Sequence, residues 1–88
     1  MTKRVRKNGL YKRYFDNGKQ LSEENYIDGK LEGKWTYWHE NGQKKSERHF
    51  NTNRLEGKWN EWDENGHIIR EEYYKMGELI NWKITKLQ

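Results

Sequence analysis

Gly33-Lys34-Trp35-Thr36-Tyr37-Trp38-His39-Glu40-Asn41-Gly42-Gln43-Lys44-Lys45-Ser46-Glu47-Arg48-His49-Phe50 is the stretch that decides the fold. An Asn-Gly dipeptide sits between two segments of interleaved aromatic and polar residues, the strongest short-range signal for a β-hairpin. Gly supplies the positive φ that such a turn requires. Sliding the chain by 24 residues superimposes this stretch on its neighbours without a gap. Gly9, Gly33 and Gly57 align, as do Tyr11, Trp35 and Trp59, then Tyr14, Trp38 and Trp62. Asn17-Gly18, Asn41-Gly42 and Asn65-Gly66 follow, then Glu23, Glu47 and Glu71, then Tyr26, Phe50 and Tyr74, then Leu31, Leu55 and Leu79. A second turn falls at Asp28-Gly29-Lys30, Asn51-Thr52-Asn53 and Lys75-Met76-Gly77, again in residues that tolerate left-handed backbone. Each unit therefore reads as strand, tight turn, strand, loop.

Repeated in sequence, such units predict an all-β protein, an antiparallel meander of 24-residue hairpin repeats forming one elongated twisted sheet. Strands are expected near 10–16, 19–27, 34–40, 43–51, 58–64, 67–75 and 80–86. Residues 1–8 read as a basic N-terminal arm, and residues 9–88 as units 9–32, 33–56, 57–80 and a truncated 81–88. Stability should approach a sum of contacts between neighbouring units. Two hairpin registers remain open. A two-residue Asn17-Gly18 loop puts Tyr14 opposite Leu21, Trp38 opposite Lys45 and Trp62 opposite Ile69, leaving the other face to Tyr11, Trp35, Trp59, Tyr26, Phe50 and Tyr74. A three-residue Asp16-Asn17-Gly18 loop shifts the pairing by one and moves Tyr14 to the face of Tyr26. In either register Trp35 and Trp38, three residues apart, lie on opposite faces unless a bulge between them rotates one, so both faces carry an aromatic stripe.

Composition bounds what such a sheet can do. The 88 residues are 36% charged and only 31% hydrophobic, yet they include five Trp, six Tyr and two Phe, which contradicts disorder. There is no Cys, hence no disulfide framework or thiolate metal site, and no stretch of 18 apolar residues. The basic start is followed by no apolar run, so a cytoplasmic location is expected. Six Lys or Arg and no acid occupy residues 1–13, so the net charge of +4 resides in the start of the chain while the remainder is slightly acidic.

The unit Gly-x-Trp-x-x-Trp-x-x-Asn-Gly, then Glu, then an aromatic, then Gly-Lys-Leu-x-Gly, resembles the MORN-repeat variant. It is most similar to the YwqK-family antitoxins, with Gly33 to Gln43 fitting almost position for position. The first copy departs in having Tyr11 and Tyr14 for Trp, and the second in having Asn53 where Gly29 and Gly77 stand. The resemblance implies a sheet of hairpin repeats in a non-enzymatic scaffold or binding role, and the antitoxin likeness implies neutralisation of a toxin by direct contact.

No catalytic constellation and no cofactor or metal site is expected. His39, His49 and His67 share no repeat column and read as surface strand or turn residues. The Glu23, Glu47 and Glu71 column would place its carboxylates roughly 9.5 Å apart, too far to share a metal, so each Glu is expected to pair with a cross-strand or diagonal neighbour such as Lys12, or to accept a backbone donor in the adjoining loop. Protein binding fits best, through Trp35, Trp38, Trp59, Trp62 and Tyr37, because Trp and Tyr dominate interface hot spots; Phe50 and Tyr74 are expected to pack inside. Electrostatic contacts would come from Lys3, Arg4, Arg6, Lys7 and Arg13. The expected function is a non-catalytic protein-binding module, an antitoxin, immunity protein or inhibitor of a toxin or effector. The alternatives are a nucleic-acid binder using the basic arm and the Trp faces, or a structural scaffold that dimerises by edge pairing; the abundance of Glu beside the Trp residues argues against phosphates and against a membrane surface.

Overall fold

Residues 7–83 are described in the computed structural model. Among them are nine strands: β1 (Gly9–Tyr14), β2 (Gln20–Ile27), β3 (Lys30–Leu31), β4 (Gly33–Trp38), β5 (Lys44–Asn51), β6 (Arg54–Leu55), β7 (Gly57–Trp62), β8 (Ile68–Lys75) and β9 (Glu78–Lys83). They form one antiparallel sheet in the order β1-β2-β4-β5-β7-β8-β9, with β3 paired to β2 and β6 paired to β5. The meander is the one the repeat predicts. Its body measures 58 × 37 × 15 Å, a single elongated layer. The strands that begin each unit end by Tyr14, Trp38 and Trp62, two residues earlier than expected, and the last expected strand extends beyond the described residues.

Both anticipated registers are present, in succession. Phe15 N–H donates to Lys19 O at 2.8 Å and Gly18 N–H to Phe15 O at 2.9 Å, which closes a three-residue loop with Gly18 at φ 89°. Tyr14 then pairs with Gln20, but Arg13 already pairs with Ser22. Leu21 is therefore an extra residue, a bulge that restores the two-residue register for the rest of the hairpin. Lys45 and Ile69 do the same between Lys44 and Ser46 and between Ile68 and Arg70. A three-residue loop suits the right-handed strand twist, and the bulge returns every aromatic to its face.

The second turns are tighter. Ile27 pairs with Lys30, Asn51 with Arg54 and Lys75 with Glu78, each across two residues of positive φ. These are type I′ turns, and β3 and β6 are the short returning arms that the sequence pattern does not announce. Turn residues Asp28, Thr52, Asn53 and Met76 carry φ of 48–69°, which is costly for a branched Thr or a Met. Met76→Asn is expected to stabilise the protein by about 0.5–1 kcal/mol, visible as a rise of several degrees in Tm, because Asn tolerates this conformation and makes no larger demand on space. An unchanged or lower Tm would contradict the turn assignment.

Each turn is bracketed by the unit before it. Gly29 N–H donates to Lys7 O, Asn53 N–H to Leu31 O and Gly77 N–H to Leu55 O, at 2.8–3.0 Å. Asp28 N–H donates to Asn8 Oδ1, Thr52 N–H to Glu32 Oε1 and Met76 N–H to Glu56 Oε1, each at 2.9 Å. Lys7 and Asn8, assigned to an arm by sequence, thus occupy the bracketing position of the first unit; residues 1–6 lie outside the described residues. In the two complete junctions a Glu-Gly pair interrupts the returning strand, and pairing resumes two residues out of step. Asn81 replaces that Gly in the last unit, and β9 slips by one residue only, between Tyr73 and Tyr74.

Alternation from these pairs puts Tyr11, Tyr26, Trp35, Phe50, Trp59 and Tyr74 on one face, here the packed face. The other, opposite face carries Lys12, Glu23, Lys34, Glu47, Trp38 and Trp62. Trp35 is the one buried hydrophobic side chain among the described residues, at 9% exposure. The core is a string of ring contacts: Tyr11–Tyr26 at 5.5 Å, Tyr26–Trp35 at 5.5 Å, Trp35–Phe50 at 5.4 Å, and Trp59–Tyr74 at 6.0 Å. Such edge and offset contacts favour the ring quadrupoles as well as burying area.

Candidate interaction surface

The packed face is held by polar groups between its rings. Glu24, buried, accepts from Arg13 Nη2 at 3.3 Å, Ser22 Oγ at 3.4 Å, Tyr26 OH at 3.3 Å and Tyr37 OH at 3.2 Å. In the next unit the same column holds Arg48, whose guanidinium carbon lies 5.7 Å from the Tyr37 ring and 4.2 Å from that of Trp59. Arg48 therefore bridges the gap between the Trp35–Phe50 cluster and the Trp59–Tyr74 stack by cation–π attraction. Burial, then the charge of Glu24 and the hydrogen bond to it, push the Tyr26 and Tyr37 hydroxyls above the ordinary tyrosine range. Burial, then the hydrogen bond to Glu72 at 2.8 Å, does the same to Tyr74.

The opposite face is organised by ion pairs. Lys12 meets Glu23 at 3.7 Å, the cross-strand pairing expected from sequence, and Glu47 meets Lys44 at 2.9 Å and Lys34 at 3.5 Å. Partial burial works against the charged form of Glu47, but the hydrogen bond and charge of Lys44, then those of Lys34, outweigh it and lower its pKa. Among the described residues no group of three His, Asp or Glu could hold a metal ion. His39 Nε2 lies 3.0 Å from Trp62 O and His49 Nδ1 3.1 Å from Lys58 O, so both tie one unit to the next.

Trp38 and Trp62 sit at the turn end of the opposite face, half-buried, in equivalent positions. Each lies beside a pocket. Lys19, Gln20 and Gly42 complete the one at Trp38, of about 270 Å³. The same positions one unit on, Gln43, Lys44 and Gly66, complete the one at Trp62, of about 240 Å³. Asn41 Nδ2 donates to Glu64 O at 2.8 Å, and His39 reaches Trp62 O, so neighbouring turns are fixed against each other and the two pockets keep their spacing. Lys44 Nζ lies 5.7 Å from the Trp62 ring centroid. Tyr14 continues the row and is 57% exposed.

The residues singled out from sequence thus divide. Trp38 and Trp62 line a recessed, accessible surface. Trp35, Trp59 and Tyr37 lie on the packed face, where Trp35 Nε1 donates to Asn25 O at 3.1 Å and Tyr37 is held by Glu24, so Trp35 and Tyr37 serve the packing. Phe50, expected inside, is against Trp35, and Tyr74 stacks on Trp59. Arg13 is tied to Glu24, and Lys7 Nζ lies 5.3 Å and 4.8 Å from the rings of Tyr11 and Tyr26. Lys3, Arg4 and Arg6 lie outside the described residues. Sequence reasoning did not find Glu24 or Gln20 and Gln43. Glu24 recurs as Glu72, which accepts from Tyr74 as Glu24 does from Tyr26, but Arg48 interrupts the column, and the two Gln gain meaning only once a bulge and a glycine turn bring them beside a Trp.

The profile of the MORN repeat variant matches residues 7–28, 31–52 and 55–76, well over half of the chain. Its units begin at Lys7, Leu31 and Leu55, the residues whose carbonyls bracket the type I′ turns, and keep the 24-residue period. No curated protein and no solved structure matches the chain.

Proposed function

We infer, because this chain belongs to the MORN repeat variant family, that it is a non-catalytic module that binds another protein across its sheet. Repeats of this kind generally mediate binding to proteins or membranes. The observation that carries the reading is the recurrence of the Trp38 pocket at Trp62, a half-buried ring with polar groups and a glycine turn, on a sheet over which the described residues lay no second layer. Partly desolvated Trp rings rimmed by polar groups are what protein interfaces use as anchors. The finer reading is an antitoxin, immunity protein or inhibitor that acts in the cytoplasm by covering the surface of a toxin or effector. Binding to nucleic acid is disfavoured, because Glu47 shares the face of Trp38 and Trp62 and repels phosphates there.

Recovery of the tagged full chain from an extract of its source, with and without nuclease, tests this reading. One protein retained in fixed ratio after nuclease, and lost with Trp38→Ala plus Trp62→Ala, is the expected result. Recovery of nucleic acid alone, or retention that disappears with nuclease, would overturn it.

A further inference from the structure

We propose that the row Tyr14–Trp38–Trp62 is a docking track for a proline-rich segment in the polyproline II conformation, with proline at every third position. The inference rests on the protein-binding reading above and names the chemistry of the partner.

Pitch is the first argument. Trp38 and Trp62 belong to β4 and β7, which are two strands apart across β5, so equivalent points are separated by about 9.4–9.8 Å. A polyproline II helix rises about 3.1 Å per residue with three residues per turn, so every third side chain returns to one side after about 9.3 Å. An extended β-strand brings same-side residues around after only about 6.6–6.8 Å and falls out of step by the second pocket. The track runs across the strands, along the repeat axis. Tyr14, Trp38 and Trp62 together span two steps, which takes about seven residues of such a ligand.

Hydrogen-bond and charge complementarity is the second. Polyproline II backbone makes no internal hydrogen bonds, so its carbonyls are free acceptors. The two pockets are lined by Lys19 and Gln20 and by Gln43 and Lys44, all able to donate, and by no carboxylate. Lys44 is already oriented by Glu47 at 2.9 Å. Lys19 is exposed and favours an acidic residue between the prolines. Gly42, at φ 93°, leaves open space beside the Trp38 indole, suited to a flat pyrrolidine ring, while at Gly66, at φ 89°, the Gln43 amide lies against the glycine and is placed to donate to a ligand carbonyl beside Trp62. Aromatic-lined grooves are the usual seat of such ligands, whose pre-formed helix loses little entropy on binding. None of the 88 residues is a proline, so none of them supplies such a segment.

The test is calorimetric titration of the full chain with two synthetic peptides of equal composition, one Pro-Asp-x-Pro-x-x-Pro and one with prolines four apart. Saturable binding of the first, at least about tenfold tighter than the second, is expected, with about a tenfold loss on Trp38→Ala. Lys19→Glu, at an exposed turn-side position, gives a variant that does not depend on packing; it is expected to weaken the acidic peptide several-fold and to favour one carrying Lys instead of Asp. Equal binding of both spacings, no saturable binding, or affinity indifferent to both substitutions would overturn the proposal. A protein partner that needs Trp38 and Trp62 but is not displaced by the period-three peptide overturns the proline track and leaves the protein-binding reading intact; loss of both results removes both.

Discussion

Trp35→Ala is expected to cost about 3–5 kcal/mol and leave the protein largely unfolded at room temperature. Total stability for a domain of this length is of the order of 4–13 kcal/mol, and a single-layer sheet belongs toward the lower end. Trp35 meets Tyr26, Phe50 and Tyr37 with ring centroids 5.4–6.3 Å away, and its Nε1 satisfies Asn25 O. Truncation removes the ring that joins the first two units and leaves a void that a flat sheet cannot close without moving strands. Trp59→Ala should cost less, since Trp59 is only half-buried and its Nε1 is buried without an acceptor. Urea denaturation followed by far-UV circular dichroism reads both. A Trp35→Ala loss below about 1 kcal/mol would contradict the packing described.

Glu24→Ala should be the next most damaging change, at about 2–3 kcal/mol, because it leaves Ser22, Tyr26 and Tyr37 hydroxyls without their acceptor where Ser22 is fully buried. The bond to Arg13 adds little, since that guanidinium is 60% exposed. Glu24→Gln keeps the shape and should cost about 1 kcal/mol. It also moves the tyrosines. Their pKa values are raised in the folded state, so the stability they contribute is present below about pH 10 and lost as pH rises through the folded values. Burial persists in Glu24→Gln but the negative charge does not. Tyr26 and Tyr37 should therefore ionise closer to pH 10, and the alkaline loss of stability should be shallower than in the parent. Unchanged tyrosine titration in Glu24→Gln would show that Glu24 does not face these hydroxyls.

Much of this was legible in the sequence. The 24-residue period, the hairpins and the division of Trp35 from Trp38 follow from spacing alone. Register did not, because the three-residue loop and the bulge at Leu21, Lys45 and Ile69 compensate each other, and a bulge position shows no shared residue type: Leu, Lys and Ile fill it. The Leu31, Leu55 and Leu79 column was visible, but its role was not, since in Leu31 and Leu55 it is the backbone carbonyl that acts, and carbonyls leave no composition signal. Glu32 and Glu56 in register with Asn8 were the available sign of turn bracketing. The second turns were placed at Asn51-Thr52-Asn53 and Lys75-Met76-Gly77 by sequence, but their type I′ geometry was not, because neither Thr52 nor Met76 is a residue type that prefers positive φ and only the closure of the surrounding strands enforces it.

The packing gives the two Trp pairs different surroundings, Trp35 and Trp59 among the rings of the packed face and Trp38 and Trp62 on the opposite one. Paired variants test it most directly: Trp35→Ala with Trp59→Ala against Trp38→Ala with Trp62→Ala, each followed by urea denaturation. Loss of the cooperative transition is expected in the first pair, and a folded sheet, less stable by a much smaller amount, in the second. Equal losses, or a larger one for Trp38 and Trp62, would contradict this packing.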